Sequence, residues 1–296
     1  MKYGRILLII FVLAFGLFGI LSPDRFLSLN NLRTMLVQLP EFAILALGMM
    51  IVILTGGINL SIAATSALCG IVSALFLTAF PTDAGGMVWI ILGTILVGIL
   101  MAILTGLFNG VLVAFVGVTP ILVTIGARAV FKGVGLVLTR GGSVSNFPEE
   151  FYVIGSASIL GVPLPFLILA LVAFLTYILL HHTPWGSHVF MVSRYNSAKV
   201  TLGTSYLLKT VAASVLGGTS IYGGKGSVLG VILAAAILQV ISSGLNILGV
   251  NRFLIEVSMG AILILALTAD FLSSTGQFEK VKSLFLRRAS GSQVSE

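Results

Sequence analysis

The sequence predicts an all-α integral membrane protein that crosses the bilayer many times. Of its 296 residues, 58% are hydrophobic and 8% are charged, whereas a soluble domain has about 25% charged residues. The mean hydropathy is +1.16, and many apolar runs approach the ~20 residues that a helix needs to cross a membrane. The 34 glycines are typical of helices that pack closely in lipid.

Nine apolar segments are candidate spans, and we predict about nine crossings in a single transmembrane domain covering residues 1–296. The first is expected to be a retained helix, because the small-residue cleavage site of a signal peptide is missing. The fifth contains Pro120, which removes a backbone donor, so we expect a break near Val118–Pro120. We interpret "TGLFNG", between the fourth and fifth spans, as a cytoplasmic loop. The segments are 5–21, 34–54, 61–80, 87–105, 107–139, 163–180, 206–218, 227–248 and 253–271.

Basic residues flank both ends of the apolar region and account for much of the net charge of +7. Lys2 and Arg5 precede the first span, and residues 272–296 form a basic tail. Since Lys and Arg accumulate on the cytoplasmic side, we expect both termini in the cytoplasm. Nine crossings would place them on opposite sides, so this expectation calls for one more crossing. The partner of these charges is then the lipid bilayer, and no nucleic acid is expected.

Arg128 and Lys132 lie inside the fifth apolar segment, one helical turn apart, and would share a face. Charges at that depth are costly unless they reach water, protein or the interface. The sequence leaves open whether the two side chains extend to the interface or line a path.

A polar, glycine-rich segment, "LTGGINLSIAATSAL" (54–68), lies between two apolar runs, and "VLGGTSIYGGKGS" (215–227) repeats its pattern. Repeated segments with glycine-interrupted helices indicate the translocation path of transporters. We therefore predict repeat-like halves at about 34–105 and 206–271, each with a helix break at its glycine pair. Freed backbone groups are tolerated only beside protein or a water-filled cavity, so the breaks serve either close packing or a polar path.

Enzyme motifs are missing, and no catalytic residue or cofactor is predicted. The stretch "GGTSIYGGKGS" resembles a phosphate-binding loop, but Thr219 stands where that loop needs its first glycine and Gly226 follows Lys225. No metal site is predicted either, because no further metal-ligating residues lie near the single cysteine or the three histidines in the sequence.

Three phrases in order resemble the permease subunits of bacterial sugar ABC importers of the ribose, xylose and autoinducer type. "GMMIVILTGGINLSIAATSALCG" resembles the family's Gly-Gly-Ile-Asp-Leu-Ser segment, with Asn59 where Asp is commoner. "TPILVTIGARAVFKGVGLVLTRGG" resembles its Pro-x-x-x-Thr-Leu-Gly stretch, and "VLGGTSIYGGKGSVLGVILAA" with "LNILGV" resembles its C-terminal half. The resemblance covers nearly the whole chain.

This resemblance implies the transmembrane subunit of an importer for a monosaccharide or similar small polyol. Such a subunit forms a pair in the bacterial inner membrane, with a second copy or with a sister permease. It receives its solute from a periplasmic sugar-binding protein and is driven by a separate cytoplasmic ATPase with tandem nucleotide-binding domains. The alternative is an ion-coupled secondary carrier, which Glu41, Glu256 and Asp270 support poorly because they lie near span ends.

Neutral hydroxyl and amide groups suit a sugar path, because they offer passing hydrogen bonds and tight binding would prevent release. The candidate path residues are Gly56, Gly57, Asn59, Ser61, Thr65, Thr124, Gly126, Gly217 and Gly218. Back-bonding of the hydroxyls to their own helix is the competing structural role.

One departure from the family's pattern follows "HHTPWGSHVFMV" (181–192). There the family continues into a coupling helix that contacts the ATPase, and then into another span. Here the chain runs directly into "SRYNSAKVTLGTSY" (193–206), which resembles a later, external segment. We expect that the coupling segment and one span, about 40 residues on the length of a span plus a loop, are lacking. An internally deleted, uncoupled permease remnant is therefore a further alternative, and the expected remnant of the ATPase-docking surface is His182, Thr183, Trp185 and Gly186.

Overall fold

The computed structural model describes residues 2–55, 57–80, 86–159, 161–179, 206–220 and 226–274, and the fold is helical. The helices of eleven or more residues are α1 Lys2–Leu21, α3 Leu29–Leu54, α4 Ile62–Thr78, α5 Met87–Ala114, α6 Pro120–Thr139, α8 Leu164–Leu179, α9 Tyr206–Leu216, α10 Val228–Ile247 and α11 Arg252–Ser274. Two short helices, α2 (Pro23–Phe26) and α7 (Glu149–Ser156), lie in the connections. A small antiparallel ribbon pairs β1 (Ser158–Ile159) with β2 (Val162–Pro163).

The prediction of an all-α membrane protein is confirmed. Each predicted segment overlaps one of the long helices, and the described part of the chain contains five helices long and apolar enough to cross a bilayer: α1, α3, α5, α6 and α10. Two shorter apolar helices lie at Ile62–Thr78 and Leu164–Tyr177. The number of nine crossings stays a prediction.

The expected boundary between the fourth and fifth spans is wrong. "TGLFNG" is not a loop but lies inside α5, which continues to Ala114. Its polar residues are accommodated because Thr105 and Asn109 are buried against other helices, and the Thr105 hydroxyl bonds to the carbonyl of Met101 at 2.9 Å. The expected break near Pro120 is confirmed, since α6 begins at that residue, where a proline needs no intrahelical donor.

Polar contacts fix the directions of three central helices. Gln239 Nε2 donates to Gln38 Oε1 at 2.7 Å, and the Ser243 hydroxyl donates to Asn31 Oδ1 at 2.9 Å. The end of α10 therefore lies beside the first half of α3, and the two helices are antiparallel. Lys209, near the start of α9, donates to Ser242 at 3.1 Å, so α9 also begins on the side where α3 begins.

The helices α4, α5 and α6 form a second group. Phe147, which precedes α7, and Phe151, which lies in it, pack on the last turns of α4 and the first turns of α5. The end of α4, the start of α5 and α7 therefore lie on one side, and the connection between α3 and α4 lies on the other. Because β2 leads directly into α8, that helix begins on the side of α7.

The largest apolar core joins α3, α8, α9, α10 and α11. Its fully buried members include Phe42, Leu47, Met50, Leu169 and Leu238. Outside this core, a Cβ at Gly244 of α10 would overlap with the ring of Phe18 of α1, so the glycine allows these two helices especially close contact. This arrangement leaves both glycine-rich breaks beside the end of α3.

Candidate functional site

The first break begins where α3 ends, and backbone hydrogen bonds close that helix. The amide of Gly57 donates to the carbonyl of Val52 at 3.1 Å, and the amide of Thr55 donates to the same oxygen at 3.2 Å. A Cβ at Gly57 would lie 3.3 Å from Cβ of Pro120, tighter than an ordinary van der Waals contact. The glycine therefore allows the break to rest directly on the first residue of α6.

Thr124 attaches the break to α6. Its hydroxyl oxygen accepts from the amide of Leu60 at 3.0 Å. Its proton is within reach of the carbonyl of Pro120 at 2.8 Å and of the carbonyl of Ile58 at 3.2 Å. The side chain is only 4% exposed, so one hydroxyl serves backbone groups that the broken helix leaves without a helical partner.

Asn59 and Ser61 precede α4, with Ser61 as its N-cap, and Asn109 of α5 makes a hydrogen bond to Ser61. The Asn59 carbonyl oxygen Oδ1 accepts from the amide of Ser61 at 2.9 Å and from its hydroxyl at 2.7 Å. Asn109 Nδ2 then donates to the Ser61 hydroxyl oxygen at 2.9 Å. Since the acceptor is a carbonyl oxygen, an asparagine fills this role as an aspartate would, without adding a charge.

Two polar atoms near this network are buried and have no hydrogen-bond partner in the described structure, Thr65 Oγ1 and Asn109 Oδ1. Thr65 lies one turn after Ser61 in α4, and its amide donates to the Ser61 carbonyl at 2.8 Å. Buried polar groups are normally paired. The two atoms therefore have hydrogen-bonding capacity that the described residues do not use. We call the network of Gly57, Asn59, Ser61, Thr65, Asn109 and Thr124 the break cluster.

The second break follows α9. A Cβ at Gly217 would lie 2.6 Å from Cα of Val231, so only a glycine fits between the end of α9 and α10. Gly218 has a φ of +87°, which favours glycine. At the far end of the break, a Cβ at Gly226 would lie 3.1 Å from Leu54 at the end of α3. The two breaks are thus neighbours on one side of the bundle.

The predicted site residues are only partly brought together. Gly57, Asn59, Ser61, Thr65 and Thr124 lie in the break cluster, and Gly217 and Gly218 lie in the second break. Gly126 is exposed on another face of α6, where an added Cβ would have no atom within 4 Å. Gly56 and the docking remnant of His182, Thr183, Trp185 and Gly186 lie outside the described residues, as do residues 275–296 of the predicted tail. The first three residues of that tail, 272–274, belong to α11.

Asn109 is the member of the break cluster that was not predicted. Its sequence signal is its position four residues after Thr105 in an apolar run, which places two polar side chains on one helix face. Both are buried, with Asn109 8% exposed. No charged side chain makes a hydrogen bond in the cluster among the described residues, and Arg128 follows Thr124 by one turn of α6.

Comparison with known proteins identifies the family. Residues 31–198 match the model described as "Branched-chain amino acid transport system / permease component". The D-allose transport system permease protein AlsC of Escherichia coli (strain K12) is 30% identical over 310 residues, covering 92% of both chains. The autoinducer 2 import system permease protein LsrD of Klebsiella pneumoniae subsp. pneumoniae is 29% identical over 316 residues, also covering 92% of both.

A third relative, the autoinducer 2 import system permease protein LsrD of Yersinia enterocolitica, is 31% identical and covers 88% of this chain and 89% of its own. No solved structure matches the chain. The family match spans more than half of the 296 residues, and the apolar helices have the lengths that membrane crossing requires. The chain therefore belongs to this family of membrane-embedded permease components of transport systems.

Proposed function

We propose that this permease forms the translocation path of an ATP-driven importer for a monosaccharide or a similar small polyol. Two of its relatives are named for D-allose and autoinducer 2. The observation that carries the proposal is the break cluster, in which neutral amides and hydroxyls meet inside an apolar helix bundle.

The chemistry of the cluster suits a hydroxylated solute. A sugar hydroxyl can donate to Asn109 Oδ1, and another can bond to Thr65 Oγ1, two of the five buried side-chain atoms that have no partner among the described residues. Asn59, Ser61 and Thr124 already use their oxygens within the protein. In this proposal they hold the break in place beside the path, while Thr65 and Asn109 contact the solute. Gly217 and Gly218 shape the backbone of the second break, Gly56 remains a proposed path residue, and Gly126 is left outside the path.

The proposed partners follow from the same assignment. A separate ATPase with tandem nucleotide-binding domains hydrolyses ATP, and a periplasmic binding protein delivers the sugar. A second permease subunit, identical or related, completes the pair in the bacterial inner membrane. The end of α1 packs beside α10, which is antiparallel to α3 and is followed by α11. This order supports a common side of the membrane for Lys2 and the end of α11. We assign that side to the cytoplasm.

The two breaks support the proposed repeat. The helices α3 and α9 begin on the same side of the bundle, and each ends at a glycine-rich break from which the next helix leads away. Superposition of residues 50–75 on 211–238 tests this, and unrelated backbone paths would reject the repeat.

A missing segment between α8 and α9 is part of the proposal. About 272 residues of this chain, 92% of 296, take part in the 310-residue alignment with the D-allose relative, so about 38 positions of that relative have no counterpart here. Both α8 and α9 begin on the side where α3 begins, whereas two successive spans would begin on opposite sides of the bilayer. These facts support the loss of a crossing and of the coupling segment.

The test is uptake of radiolabelled monosaccharides by cells that express the chain with its neighbouring ATPase and binding protein. We expect uptake that stops when the phosphate-loop lysine of the ATPase is replaced and that survives a protonophore while ATP is maintained. Uptake that needs the ion gradient and not the ATPase would make the chain a secondary carrier. A lack of uptake with all partners present in the membrane would reject ATP-driven import by this chain and favour the internally deleted, uncoupled remnant.

A further inference from the structure

A polar stripe runs along α6 from the break cluster to the other end of the helix. It consists of Thr124, Arg128, Lys132, Gly135 and Thr139, which follow each other at spacings of three or four residues and therefore share one flank. The rest of the exposed surface of α6 is apolar, with Val130 52% and Val137 77% exposed. The apolar surface of α6 is suited to contact with lipid, and the polar stripe is not.

The two charges of the polar stripe lie in the middle of the helix. The 20 residues of α6 span about 30 Å at 1.5 Å per residue, so Arg128 and Lys132 lie about 12 and 18 Å from Pro120. A hydrocarbon core is about 30 Å thick. These side chains are therefore far from both rows of lipid head groups if the helix crosses the bilayer.

Neither charge is neutralised by the described part of the chain. Arg128 is half-buried and Lys132 is exposed, and among the described residues no hydrogen bond or ion pair involves either side chain. An unpaired charge in hydrocarbon costs several kcal/mol. The flank that bears them consequently has to meet water or an acidic group.

A second copy of this chain is a poor source of the acidic group. The whole sequence has nine Asp and Glu residues, and only Glu41, Glu256 and Asp270 fall in long apolar helices. Glu41 is fully buried within its own subunit, while Glu256 and Asp270 lie in the first turns and near the end of α11. Water is then the partner that the depth and the composition favour.

We propose that the polar stripe of α6 lines the water-filled translocation path, and that Arg128 and Lys132 exclude cations from it. The inference rests on the proposed function, which requires a path for a neutral sugar. A path of that width also admits hydrated protons and sodium, so it needs a barrier to cations. Fixed positive charges in a narrow pore repel such ions through an electrostatic barrier and leave a neutral solute unaffected. The stripe begins at Thr124, so the charged section continues directly from the break cluster.

The first experiment measures water access in membranes that contain the complete transporter. Lys132→Cys is compared with Val130→Cys, which lies at the same depth on the opposite side of α6, both in a Cys69→Ala background. We expect a water-soluble maleimide to label Cys at position 132 and not at position 130. Leu136→Cys, one turn beyond Lys132, repeats the test with both charges in place should Lys132→Cys fail to reach the membrane. Leu136 borders the polar stripe on the side of Lys132, so protection of both positions 132 and 136, or equal labelling of all three positions, would overturn the proposal.

The second experiment measures ion leak, in proteoliposomes that contain a pH-sensitive dye. We expect the double variant Arg128→Gln/Lys132→Gln to raise the ratio of proton leak to sugar uptake several-fold, while Lys132→Arg keeps the wild-type ratio. An unchanged ratio at normal protein abundance would overturn the cation barrier. The labelling result does not depend on sugar uptake, so failure of the proposed function and failure of the stripe are distinguishable.

Discussion

The carbonyl oxygen of Gly217 occupies the space in which a side chain at Gly230 would begin. The two residues lie at the end of α9 and in the first turn of α10, so the backbones of the two helices are in direct contact. Small residues allow such contact in membrane proteins, where van der Waals packing drives helix association. The second break therefore depends on glycine at both positions.

A Gly230→Ala substitution is expected to destabilise the protein, because the added methyl group overlaps with the Gly217 carbonyl and the backbones have to separate. Overpacking of this kind costs about 1–3 kcal/mol. The measurement is the melting temperature and the yield of the purified protein in detergent. Gly106→Ala is the matched control, since Gly106 is also helical and a Cβ there has no atom within 4 Å. Equal stability of the two variants would contradict the close contact.

Thr124→Val is expected to weaken the attachment of the break to α6. The change keeps the shape of the side chain and leaves the half-buried amide of Leu60 without its acceptor, which costs roughly 1–3 kcal/mol at most. We expect a lower melting temperature together with reduced uptake. Thr94→Val is the control, because Thr94 is equally buried and its hydroxyl bonds, among the described residues, only to the Ile90 carbonyl of its own helix. A Thr124→Val protein as stable as the control would show that the hydroxyl is dispensable for the break.

Thr65→Val is expected to reduce sugar uptake without reducing the stability of the fold. The hydroxyl of Thr65 has no partner in the described structure, so its removal is expected to leave abundance and melting temperature at wild-type values. Uptake is expected to fall several-fold, because a sugar loses one of its passing hydrogen bonds. Ser73→Ala removes another buried hydroxyl without a partner, twelve residues from Ser61 in α4, and should leave uptake intact. Normal uptake by Thr65→Val would remove this residue from the path.

The connection between α8 and α9 is expected to return across the membrane. Cysteines at Ser187 and Ser197, in the Cys69→Ala background, should react with an impermeant maleimide from opposite sides, the former from the cytoplasm. Right-side-out and inside-out vesicles supply the two sides. Labelling of both from one side would mean that no crossing occurs there and that the later spans need a different count. Opposite labelling with ATPase binding intact would instead show that another loop couples the two subunits.

The sequence was sufficient for the class of fold and for both helix breaks, because apolar length and the positions of Pro120 and the glycine pairs are local properties of the chain. It was insufficient for the end of α5, since "TGLFNG" has the composition of a loop and only burial of Thr105 and Asn109 against other helices keeps it helical. The partnership of Asn109 with Ser61 joins residues 48 positions apart, and no local pattern contains such a pair.

Gly126 lies apart from the break cluster, as helix geometry alone indicates. Its closeness to Thr124 in the sequence suggests a shared site, yet two residues at 100° each separate them by more than half a turn of α6. Arg128 and Lys132 stand at the helical spacing that does continue from Thr124. Their significance required the structure, because only the described contacts reveal that no acidic side chain within that part of the chain approaches them.

The hydrogen bond between the Leu60 amide and the Thr124 hydroxyl also has a mechanical consequence. Because Thr124 bonds to the Leu60 amide and Pro120 rests on Gly57, the segment from Gly57 to Ser61 is attached to the first turns of α6 at two points. A rotation of α6 during a transport cycle would carry this segment with it and displace the start of α4 in the same stroke. The break would then transmit the rotation of α6 directly to α4.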